Sequence, residues 1–289
     1  MIAYGLYGQA VSPRRVEGQD PPLDPGGWPM KLSVLTRMLL IITTFPLMVQ
    51  AMDAPTNTSG NEAELGFSHD ALDKTYNDWN SHYFDLSHRF GDRNLVYGEV
   101  RDTERFNLHD REISGGYYFP LDATWTGLIE ASTSPDHNVL PQDSVFGQLQ
   151  KSFQDGWDIQ AGQRHSRYNL APVDITVLTG ERYWSNFRAS YAVYMAKVDG
   201  AGMASSNVGQ FSYYYADHDY VTLGYGTGRQ VESLGPGLGV LTANVTSSLS
   251  LSGRYWVSPQ WGLSYEAVSE HLSNLYSRKG IRLGLRRAF

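Results

Sequence analysis

Between Arg278 and Phe289 the chain alternates. Ile281, Leu283 and Leu285 fall on one parity, Arg278, Arg282 and Arg286 on the other, and Phe289 shares the apolar parity. Neighbouring side chains on a strand point to opposite faces, so this segment predicts a strand with one greasy face and one cationic face. A soluble sheet gains little from such a strand. A closed membrane barrel needs it, because its last strand pairs with its first and shows lipid an apolar surface.

The bulk numbers permit that reading. No run of 18 or more apolar residues follows residue 52, which argues against membrane-spanning helices. The mean hydropathy of −0.37 fits a barrel, where only alternate strand residues face lipid. The 19 Tyr, 7 Trp and 11 Phe favour strands and membrane interfaces. There is no Cys, so disulfides, thiolate metal sites and cysteine nucleophiles are excluded. A net charge of −7 argues against nucleic acid as a partner.

The leading residues read as processing. Lys31 and Arg37 supply a basic region, Met38 to Met48 is apolar, and Val49-Gln50-Ala51 is a small-x-small cleavage site. Residues 30–51 are thus expected to be a secretory signal, cut after Ala51. Residues 1–29, rich in Pro and Gly, are expected to be an upstream extension, from a start assigned too early or a disordered segment. The barrel domain is then 52–289, with 19 basic and 27 acidic residues once the four basic and three acidic residues before it are removed.

That domain divides into segments of roughly ten residues with period-two alternation. They are Ala63 to Ala71, Ser81 to Phe90, Asn94 to Glu104, Arg111 to Phe119, Ala123 to Ser132, Ser144 to Phe153 and Trp157 to Arg167. Then come Val173 to Trp184, Phe187 to Lys197, Asn207 to Ala216, Tyr220 to Arg229, Val245 to Val257, Trp261 to Glu270 and Ser277 to Phe289. The count predicts an all-β, antiparallel up-and-down transmembrane barrel of about 14 strands, with 12 as the alternative if two weak segments fail. An even count returns the chain to the periplasmic side.

Tight connections alternate with longer ones. Turn formers fill Gly91-Asp92-Arg93, Pro120-Leu121-Asp122, Gln154-Asp155-Gly156, Ser185-Asn186, Asp217-His218-Asp219 and Ser258-Pro259-Gln260. Longer links such as Thr133 to Asp143, Val198 to Ser206 and Gln230 to Asn244 lie between them. Outer-membrane barrels combine short periplasmic turns with longer external loops. Trp125, Trp157, Tyr183, Trp184, Phe187, Tyr220, Trp256 and Trp261 flank the tight turns, as a belt at one membrane interface would.

The inward parity collects charge of both signs. Arg188, Arg254, Glu266, Glu270, Arg278, Arg282 and Arg286 are the candidate lumen-lining residues, joined by Asp85, Glu130, Asp158 and Arg164. Two readings follow: a packed ion-pair network that holds register, or an arginine-lined path for an anionic solute. Gly224, Gly226 and Gly228 share the inward face of one strand and are expected to make room for arginines or relieve curvature.

Catalytic patterns are thin. Ser68-His69-Asp70 spells a triad, but neighbours on a strand face opposite ways. His165-Ser166 and Ser269-Glu270-His271 lie at strand ends near the external rim, where ordinary polar residues are also expected. Neither catalytic residues, nor a metal, nor a cofactor are expected. Asp217-His218-Asp219 and the loop residues Asp136, His137 and Asp143 read as turn and loop polarity rather than metal ligands.

Leu178-Thr179-Gly180-Glu181-Arg182-Tyr183-Trp184, Phe211-Ser212-Tyr213-Tyr214-Tyr215 and the run Tyr220 to Glu232 resemble the YaiO-type outer-membrane β-barrel family. The resemblance spans roughly Phe67 to Phe289. It implies an outer-membrane location and a barrel, and no settled activity. Arg287 departs from the usual apolar residue two before a terminal Phe, and near the interface it can snorkel to headgroups. The expected partners are outer-membrane lipids and, through the last strand, the outer-membrane assembly machinery. The expected function is a non-enzymatic channel or small-solute passage. An outer-membrane lipid-modifying hydrolase and a structural or adaptor barrel for surface polysaccharide assembly are the alternatives.

Overall fold

The alternating segments become strands throughout the part of the chain that is described. A computed structural model describes residues 60–73, 76–91, 93–199, 202–216, 219–232, 242–273 and 275–289. The expected signal and upstream extension lie outside these residues.

Fourteen strands form one closed antiparallel barrel, each paired with its sequence neighbours. They are β1 (Gly60–Leu72), β2 (Trp79–Gly91), β3 (Asn94–Arg105), β4 (Leu108–Pro120), β5 (Trp125–Thr133), β6 (Asp143–Ser152) and β7 (Trp157–Arg167). Then follow β8 (Pro172–Trp184), β9 (Phe187–Val198), β10 (Gly202–Tyr215), β11 (Asp219–Glu232), β12 (Thr242–Trp256), β13 (Trp261–Leu272) and β14 (Ser277–Ala288). Every expected segment is present, and β14 closes on β1 as the alternation of the last strand requires. Asn61 and Phe289 exchange backbone hydrogen bonds of 3.0 and 2.9 Å at the seam.

The two parities separate as expected. On β14, Ile281, Leu283 and Leu285 are exposed to the outside, while Arg278 and Arg286 are buried within. Exposed apolar residues cover the outer face on every strand, from Leu65 and Phe84 to Leu263 and Leu283. That is the surface a bilayer covers.

Two expectations need correction, and one further link is tighter than its neighbours at the loop end. The β3–β4 link closes on Phe106 and Asn107 alone, both at positive φ (53° and 61°), so it is a tight hairpin at the loop end. The β9–β10 link is shorter than Val198 to Ser206, because β10 starts at Gly202. The short-long rhythm is therefore weaker than the sequence implies. The aromatic belt also loses three members: Tyr183, Tyr220 and Trp256 take the inward parity, while Trp125, Trp157, Trp184, Phe187 and Trp261 face out.

Candidate functional site in the barrel lumen

All seven candidate lumen residues point inward, and most have a partner on another strand. The last strand is the most heavily paired. Arg286 lies 2.6 Å from Glu62 and 2.5 Å from Glu64, both on β1. Glu64 also accepts from the Tyr83 hydroxyl and from Ser264 Oγ, each at 2.6 Å. Arg282 lies over the Tyr83 ring at 3.7 Å and 3.9 Å from Glu99. Arg278 bridges Glu270 on β13 (2.9 Å) and Asp70 on β1 (3.3 Å). Glu266 is the register partner of Arg282 across β13 and β14.

The far wall holds a second group. Arg188 on β9 pairs with Glu181 on β8, and Gln160 donates to the same carboxylate. Arg188 and Glu181 are 2 % and 1 % exposed, so neither meets bulk water. Arg254 lies over the rings of Tyr220 and Trp256 at 5.8 and 6.0 Å. Between the two groups, Arg164 pairs with Glu130 at 2.6 Å, and Tyr97 donates to Glu130 at 2.5 Å. Asp158 accepts from Gln150 at 3.1 Å. Asp85 faces in beside them.

Glycines let the tyrosines reach. A Cβ at Gly66 or Gly116 would run into the ring of Tyr83 or Tyr97, so each ring crosses a strand only because that position is bare. Gly224 and Gly226 work differently from expectation. A side chain there would meet Ser250 or Ser248, so the glycines complete a wall of small residues rather than make room for arginine.

Two features escape the sequence reading. The first is an apolar inner wall: Val173, Ile175 and Val177 on β8, Ala192, Tyr194, Ala196 and Val198 on β9, and Ala204 and Val208 on β10. Its signal is the near-continuous apolar run from Tyr191 to Ala196, as expected of a strand whose inner and outer faces both meet apolar surroundings. The second is Asp110, fully buried on the inward face of β4. Its carboxylate accepts the backbone N–H groups of Asn138, Val139 and Leu140, each at 2.7 Å. This draws the β5–β6 loop inward and buries Val139, Leu140 and Pro141. Beneath the loop remains a cavity of 50 Å³, bordered by Arg101, Glu112, Glu130, Arg164, Leu140 and Ile175 among others. The Val139-Leu140 pair inside an otherwise polar loop is the available signal.

The rim is closed on one side by aromatics. Trp79, Phe106, Tyr76 and Tyr276 pack edge to face, and Arg105 and Arg278 lie over the Trp79 ring at 4.8 and 4.9 Å.

The catalytic patterns do not assemble. Ser68 and Asp70 face in, and His69 faces out to Asn80. His165 faces out and pairs with Asp174 at 2.8 Å, while Ser166 faces in to Ser144. His271 meets Ser277 at 3.0 Å on the outer face, but Glu270 is turned inward to Arg278. Asp143 holds Arg167, and the described residues contain no group of three metal-ligand side chains.

A family model described as the YaiO membrane beta barrel domain matches residues 60–233. No curated protein matches the chain. Among solved structures, the CymD monoaromatic hydrocarbon channel superposes with a TM-score of 0.53 at 9 % identity, covering 82 % of this chain and 88 % of that one. Salmonella typhi OmpF, solved with daunomycin, gives 0.46 at 9 % identity over 81 % of this chain and 98 % of its own. The likeness is one of fold: an outer-membrane barrel.

Proposed function

This chain belongs to the YaiO membrane beta barrel family, and from that premise we propose that it is a non-enzymatic barrel of the bacterial outer membrane, passing small solutes through a charged lumen that rests closed. One observation carries the reading. Ionisable side chains line the interior from the turn end to the loop end: Glu62, Glu64 and Arg286, then Arg282 and Glu99, then Glu130 and Arg164, then Glu270 and Arg278. Such a ladder gives a hydrated ion or small polar solute successive partners. The same groups satisfy each other at rest, so passage requires pairs to part. The inward β5–β6 loop narrows the path further.

Recordings in planar bilayers test this. The wild-type chain is expected to give rare, small conductance steps. Asp110→Ala, which frees the loop, and the double change Glu130→Gln with Arg164→Gln are each expected to raise the open frequency. A large, permanently open conductance in the wild type overturns the resting-closed state. Silence from the wild type and both variants overturns passage. The completeness of the Glu181, Arg188 and Gln160 cluster supports a second reading, a structural or adaptor barrel for surface assembly. Bilayer silence with normal folding favours it.

A further inference from the structure

Three tryptophans at the turn end follow one rule. Trp125, Trp157 and Trp261 each open an odd-numbered strand, and each stands directly across from a basic residue on the neighbouring even-numbered strand. The partners are Lys151, Arg182 and Arg287. The cation lies over the ring in all three, at 4.9, 5.3 and 5.3 Å from the centroid. Both members sit on the outward parity. Arg287, which breaks the apolar series of the last strand, is thus one instance of a repeated pair.

Among the described residues none of the three cations has an ion-pair partner within 4.0 Å, although Lys151 also donates to Thr124 Oγ1 at 2.6 Å. Among the described strand residues one carboxylate shares the outward parity there, that of Asp219. It is 6 % exposed and accepts the Trp256 N–H at 2.8 Å. Two exposed turn acids also lie at this end among the described residues: Asp122, which accepts from Thr124 and Trp125 and attracts Lys151, and Asp155. The loop end lacks the tryptophan partners. There two outward cations come with acids, Arg111 with Asp102 and Arg167 with Asp143, while Lys197, Arg229 and Lys279 stand exposed.

We propose that the three pairs seat the phosphates of anionic glycerophospholipids in the leaflet at the turn end. The cation takes the phosphate oxygens, and the indole lies at glycerol depth beside the chains. A ring does not neutralise the cation above it, so the pair orients the charge and leaves it available to an anion. This rests on the membrane-barrel reading.

The full chain is refolded into vesicles of phosphatidylcholine alone, and of phosphatidylcholine with phosphatidylglycerol. The temperature at which the compact band is lost in SDS gels is then read. Phosphatidylglycerol is expected to raise it for the wild type. The triple variant Lys151→Gln, Arg182→Gln, Arg287→Gln is expected to fold in phosphatidylcholine and lose the rise. Arg287→Gln alone, a milder change, should lose part of it, and Lys197→Gln at the loop end none. Quenching of Trp fluorescence by brominated lipids should show a preference for phosphatidylglycerol of about fivefold per cation. An unchanged rise in the variants, or equal stability of the wild type in both vesicles, overturns the seats and leaves the barrel standing. A rise produced by inorganic phosphate in phosphatidylcholine vesicles overturns the lipid as the source. No compact band in any vesicle overturns the barrel and the seats together.

Discussion

Tyr97 on β3 crosses Gly116 on β4 and donates its hydroxyl to Glu130 on β5 at 2.5 Å, so one hydrogen bond spans three strands. Glu130 also holds Arg164 on β7, which extends the link through most of one barrel wall. Gly116→Ala places a methyl where the ring lies. Overpacking of this kind costs about 1–3 kcal/mol. The midpoint of denaturant unfolding in detergent should fall accordingly, and Tyr97→Phe should cost about 1.5–3 kcal/mol through the lost bond to a charged acceptor. An unchanged midpoint for Gly116→Ala would show that the ring does not cross there.

The seam between the first and last strands is ionic on its inner side. Arg286→Ala leaves Glu64 buried without its direct ion pair, with the Tyr83 and Ser264 hydroxyls still donating to it. Breaking a buried pair costs about 3–5 kcal/mol. The swapped variant Glu64→Arg with Arg286→Glu should recover part of that loss. Heat-modifiable migration in SDS gels reads both variants, and no recovery on swapping would show that charge order does not matter at the seam.

Asp110→Ala removes the acceptor of three backbone donors in the β5–β6 loop. Each stranded donor costs about 1–3 kcal/mol if it stays buried, so the loop is expected to swing out to water instead. Limited proteolysis should then cut between Ser134 and Gln142 while the barrel band survives. Resistance equal to the wild type would place the latch elsewhere.

Asp122 gives one pH-dependent term outside the membrane. Its carboxylate accepts from Thr124 N (2.6 Å), Trp125 N (2.7 Å) and Thr124 Oγ1 (3.0 Å), which holds its pKa below the ordinary value. A depressed folded pKa contributes stability that is present above the unfolded value and lost as pH falls through the folded one. Asp122→Ala should therefore flatten the stability profile below about pH 4, with the largest difference from the wild type at neutral pH. Parallel profiles over that range would remove this turn as a contributor.

The strands were readable because lipid and lumen impose opposite chemistry on alternate residues. Ile281, Leu283 and Leu285 against Arg278, Arg282 and Arg286 is that contrast in one segment. Arg188, Arg254, Glu270, Arg278 and Arg286 are buried on the parity opposite the exposed apolar residues. Parity could not give partners, since those depend on register and on reach. Glu266 and Arg282 are register neighbours, yet Arg282 lies on Tyr83, which reaches it across Gly66. Parity does not reveal the inner apolar wall, because β9 is apolar on both faces and on β8 the alternating series Val173, Ile175 and Val177 faces in, opposite to the usual lipid-facing sense. Proximity to a turn sets the depth of Tyr183, Tyr220 and Trp256 but not their face, and their parity turns them inward.

The seam also has a consequence in time. Glu64 and Arg286 lie 222 residues apart, whereas each hairpin joins neighbours along the chain. Until β14 docks, an unsealed ribbon has two open edges that could accept any strand. Those edges differ: β1 shows Glu62, Glu64 and Asp70 toward the inside, and β14 shows Arg278, Arg282 and Arg286. Each edge repels a copy of itself and attracts the other. The opposed charges thus let the ribbon recognise its own far end, and two ribbons meeting edge to like edge are turned away.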